Sequence, residues 1–372
     1  MKKILTIIPY SYIPYYSGGQ KSLAVFNAYL GEKTELHVAG TLDNDTSLIN
    51  TYQFHPTLGK SKFRYINPIL PISIIKLIKR YKIETVIFEH PYLGWLIPII
   101  RAATSTKIIC RTHNIESERF RSIGKRWWRI LATYERWVLN ICDIVTCITD
   151  ADMRFMTKTF HLNPSKCIVA PYGIDEKESP SDKIQCKKTV CSRHQLNPDI
   201  PLLFFNGLMS YKPNLDALDM ILYKINPILE SKQFKCNILI AGKGLPEQYQ
   251  QLKNYNLGGI FYVGFVNDII EYTKAADILL NPVIIGGGIK TKVVEALGYG
   301  TSVVSTVSGA IGIDPLITNN KLQIVKDNDW DAFAEKTITC TANSTTSTPE
   351  SFYKIFYWGN IVDQILNNID PK

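Results

Sequence analysis

The 372-residue sequence has no run of about 18 uninterrupted apolar residues, and its most apolar windows, 66–79 and 92–100, are broken by Pro68, Pro71, Lys76 and Pro98. No membrane-spanning helix is therefore expected. The opening MKKILTIIPYSY begins like a secretory leader, but Pro9 ends the apolar run and no small-residue cleavage site follows, so no signal peptide is expected. The eight cysteines include no pair at C-x2-C spacing. They read as reduced thiols of a cytoplasmic protein rather than as a metal cluster or a disulfide framework. Acidic residues are the minority, 33 against 42 Lys and Arg, and the net charge of +9 points to an anionic partner: nucleic acid, a membrane face or a phosphate-bearing small molecule. No repeat of fixed period occurs. The one low-complexity piece, 337–348, is rich in Thr and Ser and reads as an exposed loop before a last helix over 349–369.

With 45% hydrophobic and 20% charged residues, the chain has material for a large core and two domains. Short apolar runs alternate with helical patterns, as parallel strands with crossover helices require. Strands are predicted at 4–8, 35–39, 85–88, 107–111, 144–148 and 168–170, and again at 202–205, 237–241, 261–263, 278–280 and 302–305. Two α/β sheets fit this count better than one. The charged, Pro-containing stretch after Asp175 is the expected seam.

The segment from Ala276 to Thr306 carries the most chemistry. A strand ends at Pro282, and Gly286, Gly287 and Gly288 form a loop. Ile289, Lys290, Thr291 and Lys292 lead into an amphipathic helix with Val293, Val294 and Leu297 inward. Free N–H groups at the helix start and two lysines suit a diphosphate, and Glu295 can accept hydrogen bonds from the two hydroxyls of a ribose. A tight turn with solvated lysines is the plainer alternative for three glycines alone.

This segment resembles the donor-site motif of retaining glycosyltransferases of the family-4 type, also called glycosyl transferases group 1. In particular it is similar to the subgroup with a Gly-Gly-Gly loop, basic residues and Glu-Ala-Leu. The resemblance extends over about residues 1–368: Asn206-Gly207 with Lys212, Ala241-Gly242-Lys243-Gly244, Val263-Gly264-Phe265, the hinge-like Pro171-Tyr172-Gly173-Ile174-Asp175, and the closing Phe356-Tyr357-Trp358. It implies a GT-B architecture of two Rossmann-like domains facing across a cleft. An acceptor-side domain would span 1–175 and a nucleotide-sugar domain 176–348. A C-terminal helix, 349–372, would return to the first domain.

The same resemblance implies site residues. Lys212 would contact the donor diphosphate, His113 the transferred sugar, and Gly18 and Gly19, in Ser17-Gly18-Gly19-Gln20, would approach the donor phosphate. A plain strand-to-helix turn is the equal reading of that last tetrad. Gly287, Gly288, Ile289, Lys290, Thr291 and Glu295 would bind the donor. Two departures stand out. Gly287 occupies the place of the first carboxylate of a Glu-x7-Glu pair, and no arginine lies near Leu208, so that either Lys290 or Lys292 compensates or donor binding is weaker than usual in the family.

The expected activity is retaining transfer of a sugar from a UDP or GDP donor to a sugar, glycan or lipid-linked hydroxyl acceptor, in polysaccharide or glycoconjugate synthesis. No essential metal is expected, on the reading that the chain has no Asp-x-Asp metal motif. The basic aromatic stretch Lys125-Arg126-Trp127-Trp128-Arg129 suggests peripheral contact with the inner membrane face, against the alternative that its tryptophans pack inward. An epimerase of the same fold would need a carboxylate at 287, and a nucleic-acid-binding protein would need a basic cluster or recognition motif that is absent.

Overall fold

A computed structural model describes residues 1–286, 288–341 and 346–369, with the backbone alone at 256 and 257. It separates into two compact units, one of Met1–Gly173 with Trp358–Lys372, the other Ile174–Tyr357. The chain thus passes between units after Gly173 and again at Trp358, where the sequence placed the passages at 175 and 349.

The first unit contains β1 (Lys3–Ile7), β2 (Glu35–Thr41), β3 (Gln53–Leu58), β4 (Thr85–Glu89), β5 (Lys107–Arg111), β6 (Ile144–Cys147) and β7 (Cys167–Val169). Every pairing is parallel and the strand order is 3-2-1-4-5-6-7. The second unit contains β8 (Leu202–Asn206), β9 (Asn237–Ala241), β10 (Ile260–Gly264), β11 (Ile278–Asn281), β12 (Ser302–Thr306) and β13 (Leu322–Val325), again all parallel, in the order 10-9-8-11-12-13. Both sheets reverse direction of winding beside their first strand, between β1 and β4 and between β8 and β11. In such sheets the crevice at the carboxyl ends of these strands is where ligands bind.

Two strands escape the sequence pattern. β3 is an edge strand with Pro56 inside it, and β13 is a four-residue edge strand; edge strands alternate poorly and tolerate proline. The expected loop at 337–348 begins as helix, since Trp330–Thr341 buries Phe333, Ala334, Thr337 and Cys340. The expected last helix is two, Glu350–Phe356 and Trp358–Ile369, interrupted at Tyr357, which bridges to Ile174. Among the described residues no helix is long and apolar enough to cross a membrane.

The helix Trp358–Ile369 belongs to the first unit. It buries Trp358, Ile361, Val362, Ile365 and Ile369 at helical spacing, and Lys33 fastens it through Asp363 (2.6 Å) and the Gly359 carbonyl (3.1 Å). The Trp358 ring lies 6.3 Å from Phe26 and 5.5 Å from Tyr172. Gly173 has to be glycine, because a Cβ there would sit 2.4 Å from the Trp358 indole.

Arg111 ends β5 beneath this packing. Its guanidinium is 3.9 Å from the Phe26 ring centroid and 5.9 Å from that of Trp358, donates to Ser22 Oγ (3.0 Å) and pairs with Glu89 at the end of β4 (3.0 and 3.2 Å). Both partners are almost completely buried. Burial raises the Glu89 carboxyl, but Arg111 and the hydrogen bond from His113 outweigh it and hold it below the usual range. Removing one member of such a pair strands the other charge, so Glu89→Ala is expected to destabilise the unit by ~3–5 kcal/mol. The apolar pair Glu89→Leu with Arg111→Met is expected to lose less, because no charge remains buried. Urea unfolding of the three proteins checks the ranking, and a double variant less stable than the single one would contradict it.

Candidate active site

In the first unit, the carboxyl ends of β1, β4 and β5 bring together Tyr10, Glu89, His90, Arg111 and His113. His113 Nε2 lies 2.6 Å from Glu89 Oε2, so against an ionised carboxylate Nε2 carries the hydrogen and Nδ1 holds the lone pair. Burial, then the neighbouring His90 and Arg111, bring the His113 imidazolium down to about 4, and the ring is neutral at pH 7. Beyond it, Glu116 accepts from Tyr92 (2.6 Å) and Arg119 (2.9 Å). Burial raises its carboxyl, yet His90, Arg119 and Tyr92 together hold it at about 2. Glu135 caps the helix Glu116–Ser122 from below, accepting from the N–H groups of Glu116 (2.8 Å) and Ser117 (3.0 Å), and its burial lifts it to about 7.

Gly18 and Gly19 open the helix Gly18–Lys33. Ser17 accepts from the Gln20 N–H, and Gln20 Oε1 accepts from the Tyr16 N–H (2.9 Å), a reciprocal cap that occupies donors at this helix start. Space is open over Gly19, whose added Cβ would meet nothing within 4 Å.

In the second unit, β8 and β9 end in glycines that touch. A Cβ on Gly242, at φ +146°, would lie 1.7 Å from the Gly207 carbonyl oxygen. The glycine loop after β11 turns at Gly286 (φ +110°) and Gly288 (φ +70°), conformations that suit glycine alone. Gly287 lies outside the described residues. Lys290 occupies the cap position of the helix Thr291–Gly298 and donates to the carbonyls of Gly286 and Gly288, both at 2.9 Å. Its burial brings it down to about 8. Ile289 precedes it in the loop, and Glu295 stands half-buried in the second helical turn.

Lys292 reaches under this helix to the end of β8. Its Nζ donates to the Asn206 carbonyl (3.0 Å), lies 3.4 Å from Asn214 Oδ1 and 4.3 Å from the Phe205 ring centroid. Among the described residues no carboxylate pairs with it, and burial, with Lys290 nearby, brings it down to about 7. Lys212 differs. It begins the helix Lys212–Met220, its side chain is 79% exposed, and Asp216 takes its ammonium at 2.7 Å in a surface i, i+4 pair. Lys290 and Lys292 thus converge on the β8 side of the loop, whereas Lys212 stands on the surface.

The chain does contain Asp-x-Asp sequences, at 43–45, 150–152, 327–329 and 329–331, which corrects the reading that it has none. They serve local structure: Asp45 accepts from Ser47, Asp150 and Asp152 lie in the first turn of their helix, Asp327 accepts from Ser308, and Asp329 from the Ala332 N–H. Glu89, His90, Tyr10 and Glu116 had not been singled out from the sequence. The available signal was a charged residue ending each of two adjacent buried strands, Phe88-Glu89-His90 beside Cys110-Arg111.

The profile described as Glycosyltransferase Family 4 matches residues 27–178, and that of Glycosyl transferases group 1 matches 200–343. No curated protein sequence matches the chain. Among solved structures, a sucrose-phosphate synthase from Thermosynechococcus elongatus superposes with a TM-score of 0.74, at 14% identity, over 99% of this chain and 98% of its own. A glycosyltransferase from Rickettsia africae gives 0.71 at 15% identity over 100% and 99%. HepE of Anabaena in complex with UDP gives 0.71 at 13% identity over 99% of both chains. At such identities the likeness is one of fold, two Rossmann-like units in the GT-B arrangement, and the profiles supply the rest: this chain belongs to the family-4-like, group 1 glycosyltransferases, enzymes that transfer sugars.

Proposed function

We propose that this glycosyltransferase moves a sugar from UDP or GDP to a hydroxyl acceptor with retention at the anomeric carbon, in building a polysaccharide or glycoconjugate. The observation that carries the reading is Lys292 with Lys290: two half-buried ammonium groups, one held at the carbonyl that ends β8 and the other at carbonyls of the glycine loop after β11, at the switch point of the second sheet. Among the described residues no carboxylate pairs with Lys292, and a diphosphate would supply its counter-charge. The Anabaena relative bound to UDP supports a nucleotide diphosphate as donor. As the glycosidic bond breaks, negative charge gathers on the leaving diphosphate. The two lysines and the N–H groups at the start of helix Thr291–Gly298 stabilise it where it develops. The departing phosphate oxygen takes the acceptor proton on the same face. Glu295 holds the ribose hydroxyls, and His113 accepts from a sugar hydroxyl. The role expected of Lys212 passes in this reading to Lys292, and no step calls for a metal ion.

The apolar and basic surface of the first unit supports a second element, contact with an anionic membrane. Ile130 is 75% exposed, Trp127 and Trp137 project beside it, and Arg126, Arg129 and Arg136 lie in the same stretch. Trp128 is half-buried, with Arg121 and Arg129 over its ring. Through Trp95, which donates to the Tyr65 carbonyl and to Tyr134, the helix Trp128–Ile141 that carries Ile130 and Trp137 adjoins the segment with exposed Phe63 and Ile66. Apolar side chains among cations suit the headgroup region of anionic lipid.

Three measurements test this. The diphosphate favours the charged form of lysines that sit at about 7 and 8 in the free protein, so binding takes up protons. Calorimetry with UDP and GDP is therefore expected to show affinity falling as pH rises through 7 and 8. Lys292→Met is expected to weaken binding about tenfold to a hundredfold at pH 7 and Lys212→Ala little; pH-independent binding with the reverse ranking would refute the assignment. Sugar transfer is expected to persist in excess EDTA, and its loss, restored by a divalent ion, would refute the metal-free route. Flotation with phosphatidylglycerol vesicles is expected to carry the protein at low salt, with Trp127→Ser plus Ile130→Ser abolishing it; equal flotation of both proteins would place the contact elsewhere.

A further inference from the structure

The segment after β3 carries Arg64 and Tyr65 in the short helical turn Lys62–Tyr65. One edge of the half-buried Arg64 guanidinium is taken by backbone: Nε donates to the Pro9 carbonyl (2.6 Å), and Nη1 to the carbonyls of Lys60 (2.6 Å) and Ser61 (3.0 Å). Carbonyls orient a cation without neutralising it. Among the described residues no carboxylate pairs with Arg64, and its Nη2 makes no hydrogen bond. The guanidinium carbon lies 4.8 Å from the centroid of the Tyr65 ring, whose hydroxyl has no hydrogen-bond partner among the described residues. Tyr65 meets Tyr92 edge-on at 6.0 Å, and Tyr92 OH accepts in turn from Arg119 Nη2 at 3.3 Å. Glu116 holds the Nε edge of Arg119 (2.9 Å), which leaves Nη1 uncommitted in a side chain 38% exposed. Pro9 follows β1, Tyr92 follows β4 and Arg119 lies in the helix after β5, so these groups stand around the carboxyl ends of the first sheet, where parallel sheets bind ligands.

We propose that Arg64 and Tyr65, with Arg119 across the Tyr92 ring, form a subsite for the phosphoryl group of an anionic acceptor. Two guanidinium groups against the single carboxylate of Glu116 leave positive charge at this crevice, and three side chains there hold uncommitted donors. A carboxylate matches one planar fork, whereas the tetrahedral oxygens of a phosphate take donors from several directions. Exposed Phe63 and Ile66 flank the pair, so either the headgroup of a lipid-linked acceptor or a soluble sugar phosphate brings the same oxygens to it. That the anion is a sugar acceptor rests on the function proposed above; the anion subsite itself does not.

The test uses the full chain labelled with 15N-arginine, in which the Nε–H signals of Arg64 and Arg119 are assigned by single substitutions and followed by 15N–1H correlation. Glucose 6-phosphate is expected to move both signals saturably, and glucose or acetate at equal concentration to leave them in place. Tyr65→Phe removes a hydroxyl with no partner among the described residues, so the melting temperature is expected to hold while affinity for glucose 6-phosphate falls about tenfold. Arg64→Lys keeps a charge but loses the fork, and is expected to weaken binding about tenfold to a hundredfold. Flotation with phosphatidylcholine vesicles carrying a polyprenyl phosphate distinguishes the source. Capture that requires Arg64 and Tyr65 assigns the phosphate to a lipid, and saturation by glucose 6-phosphate alone assigns it to a soluble acceptor. Signals unmoved by glucose 6-phosphate together with unaltered flotation in both variants, or an acetate effect as large as that of the phosphate, would overturn the proposal. So would a lowered melting temperature in Arg64→Lys with phosphate affinity unchanged in both variants, which would leave Arg64 as a pin between loops. The arginine signals report on the first unit, so absence of UDP binding leaves this result standing, and an empty subsite leaves the donor reading intact.

Discussion

The Glu89–Arg111 ion pair is the constraint on which the first unit turns. Two full charges at the ends of adjacent buried strands are tolerable only with every face covered, and the cover comes from distant parts of the chain. Ser22 and Phe26 come from the first helix and Trp358 from the last, and His113 is the second partner of Glu89. The return of the C-terminal helix to this unit is therefore more than added apolar area. It helps exclude water from a carboxylate that must stay ionised to fix the tautomer of His113, and the same exclusion keeps that imidazole neutral.

The second unit solves a related problem with the opposite balance. Its sheet has the same winding reversal, but the groups at that point are half-buried lysines that donate to carbonyls, and among the described residues no carboxylate reaches Lys292. Carbonyl dipoles orient an ammonium without neutralising it, which leaves the charge poorly compensated and poised to change protonation near neutral pH. The two units, alike in topology, are distinguished by which kind of buried charge sits at the switch point.

Much of this was legible in the sequence because parallel strands buried on both faces read as continuous apolar runs. Each of the eleven predicted strands overlaps an observed one, and the amphipathic helix behind the glycine loop buries Val293, Val294 and Leu297 as expected. The two missed strands are edges, one with a proline and one of four residues, where the pattern weakens. The break at Tyr357 was invisible, since Phe356 and Trp358 are both apolar and only pairing with Ile174 divides the helix. The glycine loop with Lys290 and Lys292 could be read from a motif, whereas the cluster of Tyr10, Glu89 and His90 is brought together by geometry alone. Lys212 and Lys292 are equivalent as letters, yet one starts a helix on the surface beside Asp216, and the other lies on the inner side of its helix, directed at a strand end.

The net charge of +9 illustrates the same limit. Composition treats all 42 basic residues as one surplus, but the structure sorts them by dielectric surroundings. Arg111 is paired with Glu89 in the interior, whereas Lys212 holds Asp216 in an exposed pair on the surface. Arg126, Arg129 and Arg136 remain in water, where their attraction is long-ranged and salt-screened. Lys290 and Lys292 contribute little to a field felt at a distance, since burial already brings them near loss of their protons, but a desolvated ammonium binds an incoming anion more strongly than a hydrated one does. A polyanion spread over a surface would draw on the first kind of exposed charge, whereas a compact diphosphate draws on the second. Lys290 and Lys292 stand at a glycine loop and not on an open face, whereas Lys321 and Lys183, also buried, are held at Ser302 and at the carbonyls of Lys274 and Ala276; it is the loop pair that the proposed diphosphate would meet.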